Sequence, residues 1–520
     1  MLIYYIQIIN LRWLTKLNKS NIIFIILDAL RADKIHAMYQ ESYLTPFMNE
    51  LLEKSLYFEN CIANSTWTLP SHFTLFTGLY EHQNYILTKN LYKLSKKIPV
   101  LSQILKDYGY YSFLYTENPY LTREAGLFRG FDYPFLNWDL LFKDNYLDKI
   151  DRWMKALIKP GFWFSFWHKF KTILERIYKN LNWKRWIRDR YVNPLKKIDS
   201  NLQKILRESK NQPFFLFFNL MVTHAPYLSS QNIMNSIGLS IDDFKTIKSL
   251  LLFPLENFIN INFNSKRLSE KKIRILNKLY DSSVKYCDWI IKQIFMKFER
   301  LGMLENTYII ITSDHGEVLG TPEDHYYWTH GVFHSVYEPL IKVPLIIYNK
   351  NFKSRHIKKQ VELKDLFHTI LHLTGIPEDN NEYLDIAKSL IHQIDTDSTP
   401  EYIFGEFLKD KNEMLNRINY HRRQVDDNLI QRLLNDIYFL RSDNYKLINY
   451  GNRIYELYDI LKDPNEMTNL INTNAKKFKE LNSILQTYIY NTKDKEKLTN
   501  IINRNEKNLI KKAIMNISFK

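Results

Sequence analysis

Cysteine is nearly absent: Cys61 and Cys287 are the only two in 520 residues. That excludes a disulfide-built scaffold and a four-cysteine zinc site, and leaves room for one bridge at most. Glycine is scarce as well, 13 residues in all, against a usual share of about 7%. The glycines that remain are expected where the backbone needs them. No apolar run reaches the roughly 18 residues of a membrane span. The opening stretch, MLIYYIQIINLRWLTKLNK, is apolar first and basic second. A secretory leader has the reverse order and a small-residue cleavage site, so residues 1–20 read as a lead-in rather than a clear signal peptide. Acid is short relative to base: 56 Asp and Glu against 72 Lys and Arg, a net charge of +16. That excess favours an anionic partner. Hydrophobic residues at 45% and charged residues at 25% exclude a disordered or collagen-like chain.

What is present alternates. Asn21–Leu27 is a continuous β-branched run that stops at Asp28, the pattern of a fully buried parallel strand. Phe214–Leu220, Tyr308–Thr312 and Val343–Tyr348 repeat it. Helical stretches lie between, one over residues 45–58 opened by Pro46 and one over Ser269–Leu301. Strand–helix alternation predicts a doubly wound, mostly parallel α/β sheet flanked by helices, over residues 21–399. Ligands of such sheets sit beyond the carboxyl ends of the strands. Asp28, His224 and Asp314 each lie just past a strand end, so three strands are expected to deliver polar groups to one crevice. Short strands at Tyr402–Glu406, Ile437–Arg441 and Tyr445–Ile448 predict a smaller C-terminal α+β subdomain over 400–475, followed by a polar helical tail over 476–520.

Residues 138–212 read as a basic, Trp-rich helical insertion. Between 151 and 197 stand 13 basic and 3 acidic residues and five of the ten tryptophans. Such a face suits peripheral contact with an anionic membrane, or is simply solvated and packed on the α/β body. No nucleic-acid recognition motif accompanies it, and no specific nucleic-acid partner is expected.

Two clusters carry chemistry. One is Asp28 with the run Ser65 to Gly78, which contains Thr68 and His72. The other is Thr312-Ser313-Asp314-His315-Gly316-Glu317, continuing to His330-Gly331. Gly316, Gly320 and Gly331 crowd together in a glycine-poor chain, as a tight turn or a close approach requires. Two Asp and one His make a mixed oxygen and nitrogen set suited to a divalent ion. A hydroxyl such as Thr68 completes it, and coordination turns that hydroxyl into a nucleophile.

These motifs, in this order, resemble the sulfatase family of the alkaline phosphatase superfamily. The resemblance runs from Asn21 to about Leu470. It includes Thr45-Pro46, Thr66-Trp67-Thr68-Leu69-Pro70-Ser71-His72, Thr223-His224-Ala225-Pro226, Ser313-Asp314-His315-Gly316-Glu317, Val343-Pro344-Leu345-Ile346 and Glu456-Leu457-Tyr458-Asp459. It implies an alkaline-phosphatase-like fold and a hydrolase of sulfuric or phosphoric esters. Three positions depart from the family. Thr68 stands where the family has a Cys or Ser oxidised to formylglycine, His72 where it has Arg, and Ala29 where many members have a second metal-binding Asp. No formylglycine is therefore expected.

What remains is Asp28, Thr68, Asp314 and His315 around one divalent ion (zinc, manganese, magnesium or calcium). This set resembles the one-metal phosphotransferase branch that includes lipoteichoic acid synthases and phosphoethanolamine transferases. The resemblance implies Thr68 as direct nucleophile, His224 and His330 as substrate-facing acid–base groups, and His72 and Arg31 as added positive potential, Arg31 on the substrate. The expected substrate is an anionic ester of a glycan, lipid or small molecule, with a phosphodiester or phosphonate favoured over a sulfate. The alternatives are a phospho-group transferase acting on a lipid or glycan, and a non-catalytic binder of acidic glycans or lipids. The compartment stays open between soluble and peripheral membrane, with the cytoplasm slightly favoured.

Overall fold

The computed structural model describes residues 19–85, 93–136, 194–209, 212–227, 229–252, 267–330, 335–376, 383–409, 430, 432 and 434–490. The heart of the basic insertion, 137–193, lies outside them, as do most of the lead-in and the tail beyond 490. Its described end, the helix Pro194–Glu208, packs Ile198, Leu202 and Ile205 into the main core.

Eight strands form the central sheet. In chain order they are β1 (Asn21–Leu27), β4 (Ser55–Ile62), β5 (Tyr111–Thr116), β6 (Tyr133–Leu136), β7 (Phe214–Leu220), β8 (Thr307–Thr312), β9 (Lys342–Tyr348) and β10 (Arg355–Glu362). A small hairpin, β2 (Met38–Tyr39) with β3 (Ser42–Tyr43), stands apart. Across the sheet the order is β10-β4-β9-β8-β1-β7-β5-β6. Strands β8, β1, β7, β5 and β6 run parallel. β9 is antiparallel to both neighbours. The ends of β8, β1, β7 and β5 therefore share one edge of the sheet. Alternation along β1 sends Ile23, Ile25 and Leu27 to one core layer and Ile22, Phe24 and Ile26 to the other. Both faces are covered by helices, which is why these strands read as unbroken apolar runs.

One expected helix is corrected. The helix opened by Pro46 ends at Leu52, and Phe58 belongs to β4. The carboxylate of Asp288, on the long helix Glu270–Arg300, accepts the N–H groups of Phe47 and Met48 at 3.0 and 2.7 Å. It satisfies the free donors of that helix start. Cys61 and Cys287 are both buried free thiols in different core layers, so no bridge joins them.

A second sheet is antiparallel, in the order β11 (Ile403–Phe407), β12 (Ile437–Arg441), β13 (Tyr445–Asn449) and β14 (Tyr455–Asp459). A helix over 475–490 covers it with Leu481, Leu485 and Ile489. The sheet is tied to the catalytic body at two places. At the first, Asn64 donates from Nδ2 to the Phe404 carbonyl at 2.8 Å, and its own carbonyl accepts the Glu406 N–H at 3.0 Å. Glu406 in turn accepts from both the backbone N–H and Nδ1 of His82, at 2.8 and 2.7 Å. At the second, the buried Glu338 carboxylate meets Arg441 Nε at 3.1 Å and Lys446 Nζ at 3.3 Å.

Burial alone would raise the Glu338 pKa, but Arg441 and Lys446 hold it down to about 2. The stability this pairing contributes is present above the ordinary value of 4.5 and is lost as pH falls toward 2. Arg441→Ala leaves the buried carboxylate with Lys446 alone and is expected to cost about 1.5–3 kcal/mol in denaturant unfolding, the range of a hydrogen bond to a charged group. An unchanged unfolding midpoint would show that the pair contributes nothing.

Candidate active site and its relatives

The turn after β1 builds the floor. Asp28 N–H donates to the Leu220 carbonyl of β7 at 2.9 Å, and Thr223 Oγ1 donates to the Asp28 carbonyl at 2.7 Å. On the other side Ser313 Oγ donates to the Leu27 carbonyl at 2.6 Å. Ala29 is left-handed, with φ of 65°, a strained state for a residue with a Cβ. Tyr280 Oη, from the long helix, holds it by donating to the Ala29 carbonyl at 2.7 Å. Gly316 is needed for a close approach, since a Cβ there would fall 1.9 Å from the Pro339 carbonyl oxygen. The approaching group is protein backbone. Gly331 lies outside the described residues.

Asp28, Asp314, His315 and Thr68 come together. Ligand atoms of the first three lie within 4.8 Å of one another, and all three are buried. His315 Nε2 is 3.8 Å from Asp28 Oδ1, 3.5 Å from Asp314 Oδ2 and 3.4 Å from Thr68 Oγ1. Its other nitrogen, Nδ1, faces the Gly316 carbonyl at 2.8 Å. That bond places the proton on Nδ1 and turns the Nε2 lone pair inward. Burial, with His330 adding to it, lowers the His315 pKa to about 3, so the imidazole is neutral.

Asp28 Oδ1 and Asp314 Oδ2 are buried with no hydrogen-bond donor. Buried carboxylate oxygens are rarely left so. Burial pushes the Asp314 carboxyl above its ordinary pKa, against the pull of His72. Two donorless carboxylate oxygens facing an imidazole lone pair fit a divalent cation, which suits this mixed donor set.

Thr68 is the first residue of the helix Thr68–Thr77, where the helix dipole favours negative charge. Its hydroxyl also receives Asn118 Nδ2 at 3.2 Å, and the same amide donates to Asp28 Oδ2 at 2.7 Å. Asn118 and Glu317 were not singled out as site residues from the sequence. Asn118 follows β5, whose run Tyr111-Ser-Phe-Leu-Tyr-Thr, ending two residues before it, was the available signal.

His72 lies beneath the cluster, with Nδ1 at 2.8 Å from the Thr68 carbonyl and 3.6 Å from Asp314 Oδ2. His224 and His330 are half-buried, with ring centroids 4.5 Å apart, and His330 is 4.4 Å from His315. His224 Nδ1 faces the Ala225 carbonyl at 2.8 Å. His330 Nδ1 faces Glu317 Oε2 at 3.0 Å, an oxygen that also accepts from Tyr227 Oη at 2.8 Å. Burial and the neighbouring His224 lower the His330 pKa to about 3. Burial raises that of Glu317 to about 7. Arg31 is placed differently. Its guanidinium donates to Asp33 at 2.9 and 3.0 Å, to Asp324 at 2.8 Å and to the Glu317 carbonyl at 3.2 Å. Its reach to the cluster runs through the Glu317 backbone.

Parallel strand ends thus gather two carboxylates and an imidazole beside a helix-borne hydroxyl. Residues 20–376 match the family model for sulfatases, and the chain belongs to the sulfatase family. Arylsulfatase K of Canis lupus familiaris is 22% identical over 494 residues, covering 89% of this chain and 80% of the relative. Arylsulfatase K of Bos taurus is 25% identical over 471 residues, covering 85% and 75%. Among solved structures, the phosphonate monoester hydrolase of Agrobacterium radiobacter superposes with a TM-score of 0.62 at 17% identity, over 92% of this chain and 96% of that one. A 2-O GAG sulfatase gives 0.57 at 18%, over 92% and 93%. At these identities the superpositions establish the shared fold.

Proposed function

We propose that the chain is a metal-dependent hydrolase in which Thr68 itself attacks an anionic ester, preferring a phosphodiester or phosphonate monoester to a sulfate monoester. The observation that carries this reading is the pair of donorless oxygens, Asp28 Oδ1 and Asp314 Oδ2, next to the Thr68 hydroxyl. Asp28, Asp314, His315 and Thr68 would hold the ion. A divalent ion there supplies Lewis acidity, lowering the pKa of the Thr68 hydroxyl and drawing charge from a non-bridging ester oxygen.

The chain's own groups do the rest. Asn118 fixes the Thr68 oxygen on the line of attack. Thr68 Oγ bonds to phosphorus as the bond from phosphorus to the leaving oxygen breaks. His224 and His330 have Nε2 atoms without a partner among the described residues. They serve to carry the proton that Thr68 loses to the leaving oxygen, and in the second step to carry one from water back to Thr68. The Glu317 carboxylate holds the His330 ring in place through Nδ1. Water then attacks the phospho-threonine and returns Thr68.

Substrate preference follows from charge and from the nucleophile. A diester carries one negative charge where a phosphate monoester carries two, and a single divalent ion beside the neutral His315 and His330 matches the smaller charge. A formylglycine hydrate has a second hydroxyl that expels sulfate, and threonine has none. A sulfo-threonine would have to wait for external water.

With matched 4-nitrophenyl leaving groups and saturating metal, phosphodiester or phosphonate turnover is expected to exceed sulfate turnover by about tenfold or more, equal to about 1.4 kcal/mol in barrier. Intact-protein mass spectrometry confirms unmodified Thr68. Faster sulfate turnover would overturn the preference.

A further inference from the structure

Tyr120 stands out among the exposed aromatics because of what holds it. It is 59% exposed, yet its backbone is fixed to the candidate site. Its N–H donates to Asn118 Oδ1 at 2.9 Å. The other end of that same amide, Nδ2, donates to Thr68 Oγ1 and Asp28 Oδ2. A second tie comes from the ring. Tyr120 meets Trp67 edge to face, with centroids 6.2 Å apart, and Trp67 is the residue immediately before Thr68. Tyr120 is therefore held at its backbone by the amide that reaches Thr68 and at its ring by Trp67, while most of its surface faces solvent.

We infer that Tyr120 is a specificity-determining residue, a stacking platform for a ring in the leaving group, which sets ring-bearing esters apart from small acyclic ones at this site. The inference rests on the hydrolase reading above and deepens it. A tyrosine presents an apolar face with a polar tip, a surface that suits a sugar ring or an aryl ring. Two features prepare it for the task. The Asn118 bond fixes the loop, and Trp67 restricts the ring, so little conformational freedom is lost when a ligand ring lands on it. A leaving group the size of methanol offers the platform nothing. Tyr120 touches no reacting atom and acts on which ester is held.

The test separates binding from turnover. Phenylphosphonate and methylphosphonate, which are not hydrolysed, are titrated calorimetrically into the full-length chain with saturating divalent metal. The wild-type chain is expected to bind phenylphosphonate about 3- to 10-fold more tightly, the range of one aromatic contact. Tyr120→Ala is expected to erase that ratio while leaving methylphosphonate affinity unchanged, and Tyr120→Phe to keep it. An equal ratio in the wild-type chain and in Tyr120→Ala would overturn the inference, as would an equal loss of both ligands. The parallel kinetic arm compares phenyl and methyl esters. There Tyr120→Ala should raise KM for the phenyl ester with kcat within about twofold. If the binding ratio behaves as expected while neither ester is turned over, the platform stands and the hydrolase reading fails.

Discussion

Thr68→Ala is expected to lower ester turnover by at least about 10⁴-fold, the scale of losing a nucleophile from a concerted site, without unfolding the chain. The hydroxyl is buried beside Asn118 and His315. Its removal frees one amide hydrogen that still has Asp28 as acceptor. The stability cost is therefore that of one neutral hydrogen bond, about 1 kcal/mol. Thr68→Ser keeps the oxygen and loses only the methyl group that restricts χ1, so part of the activity should survive. Steady-state rates, a thermal melt and a mass search for a phospho-adduct on residue 68 decide the matter together. Wild-type turnover by Thr68→Ala would end the covalent mechanism.

Asp314→Asn should cost about 10³-fold or more in activity through loss of the ion, and it should also change what metal does to stability. Burial raises the Asp314 pKa in the folded, metal-free chain. A group raised in this way contributes stability below its unfolded value of 3.8 and loses it as pH rises through the folded value. Burial thus favours a proton on Asp314 in the folded chain, and a bound cation takes over the role of that proton. Added metal should stabilise the wild-type chain by about 2.7 kcal/mol at a hundredfold excess over Kd. The effect should shrink as pH falls and protons compete for the same oxygens. Asp314→Asn should show almost none of this response, while its metal-free melting temperature stays level or rises. A metal-induced shift in Asp314→Asn as large as in the wild-type chain would remove Asp314 from the ligand set.

These sites were legible in the sequence where a buried strand stops at a charge. β1, β7 and β8 are largely apolar runs, so Asp28, His224 and Asp314 just past their ends stand out, and the parallel pairing brings those ends together. β5 was harder to see. Ser112 and Thr116 interrupt its apolar run, and their hydroxyls bond to the Gly130 carbonyl and to Asn219 Oδ1. With the strand unseen, Asn118 had no strand end to mark it. The helix opened by Pro46 was read too long because Phe58 falls seven residues after Leu51, a helical spacing that a strand beginning at Ser55 happens to reproduce. The partnership of Glu317 with His330 depends on a loop closed by the pairing of Leu319 with Trp328, and no local pattern announces that closure. The Arg31 guanidinium has one partner that is local, Asp33, and one that no local pattern shows, Asp324, 293 residues away.

The join between Asn64 and β11 has a consequence for how the chain comes into being. The segment that carries Thr68 begins four residues after Asn64, but the strand that clasps Asn64 lies 340 residues further along. At a synthesis rate of about 5–20 residues per second, Thr68 waits about 17–70 s on the ribosome before that clasp exists. Through that interval Glu406 has not yet been made, and His82, five residues after the end of the helix that begins at Thr68, has no carboxylate to hold it. The candidate site is thus a late product of translation, and a message truncated just after the last residue that matches the family would yield a chain that has Thr68 and lacks the strand that secures its segment.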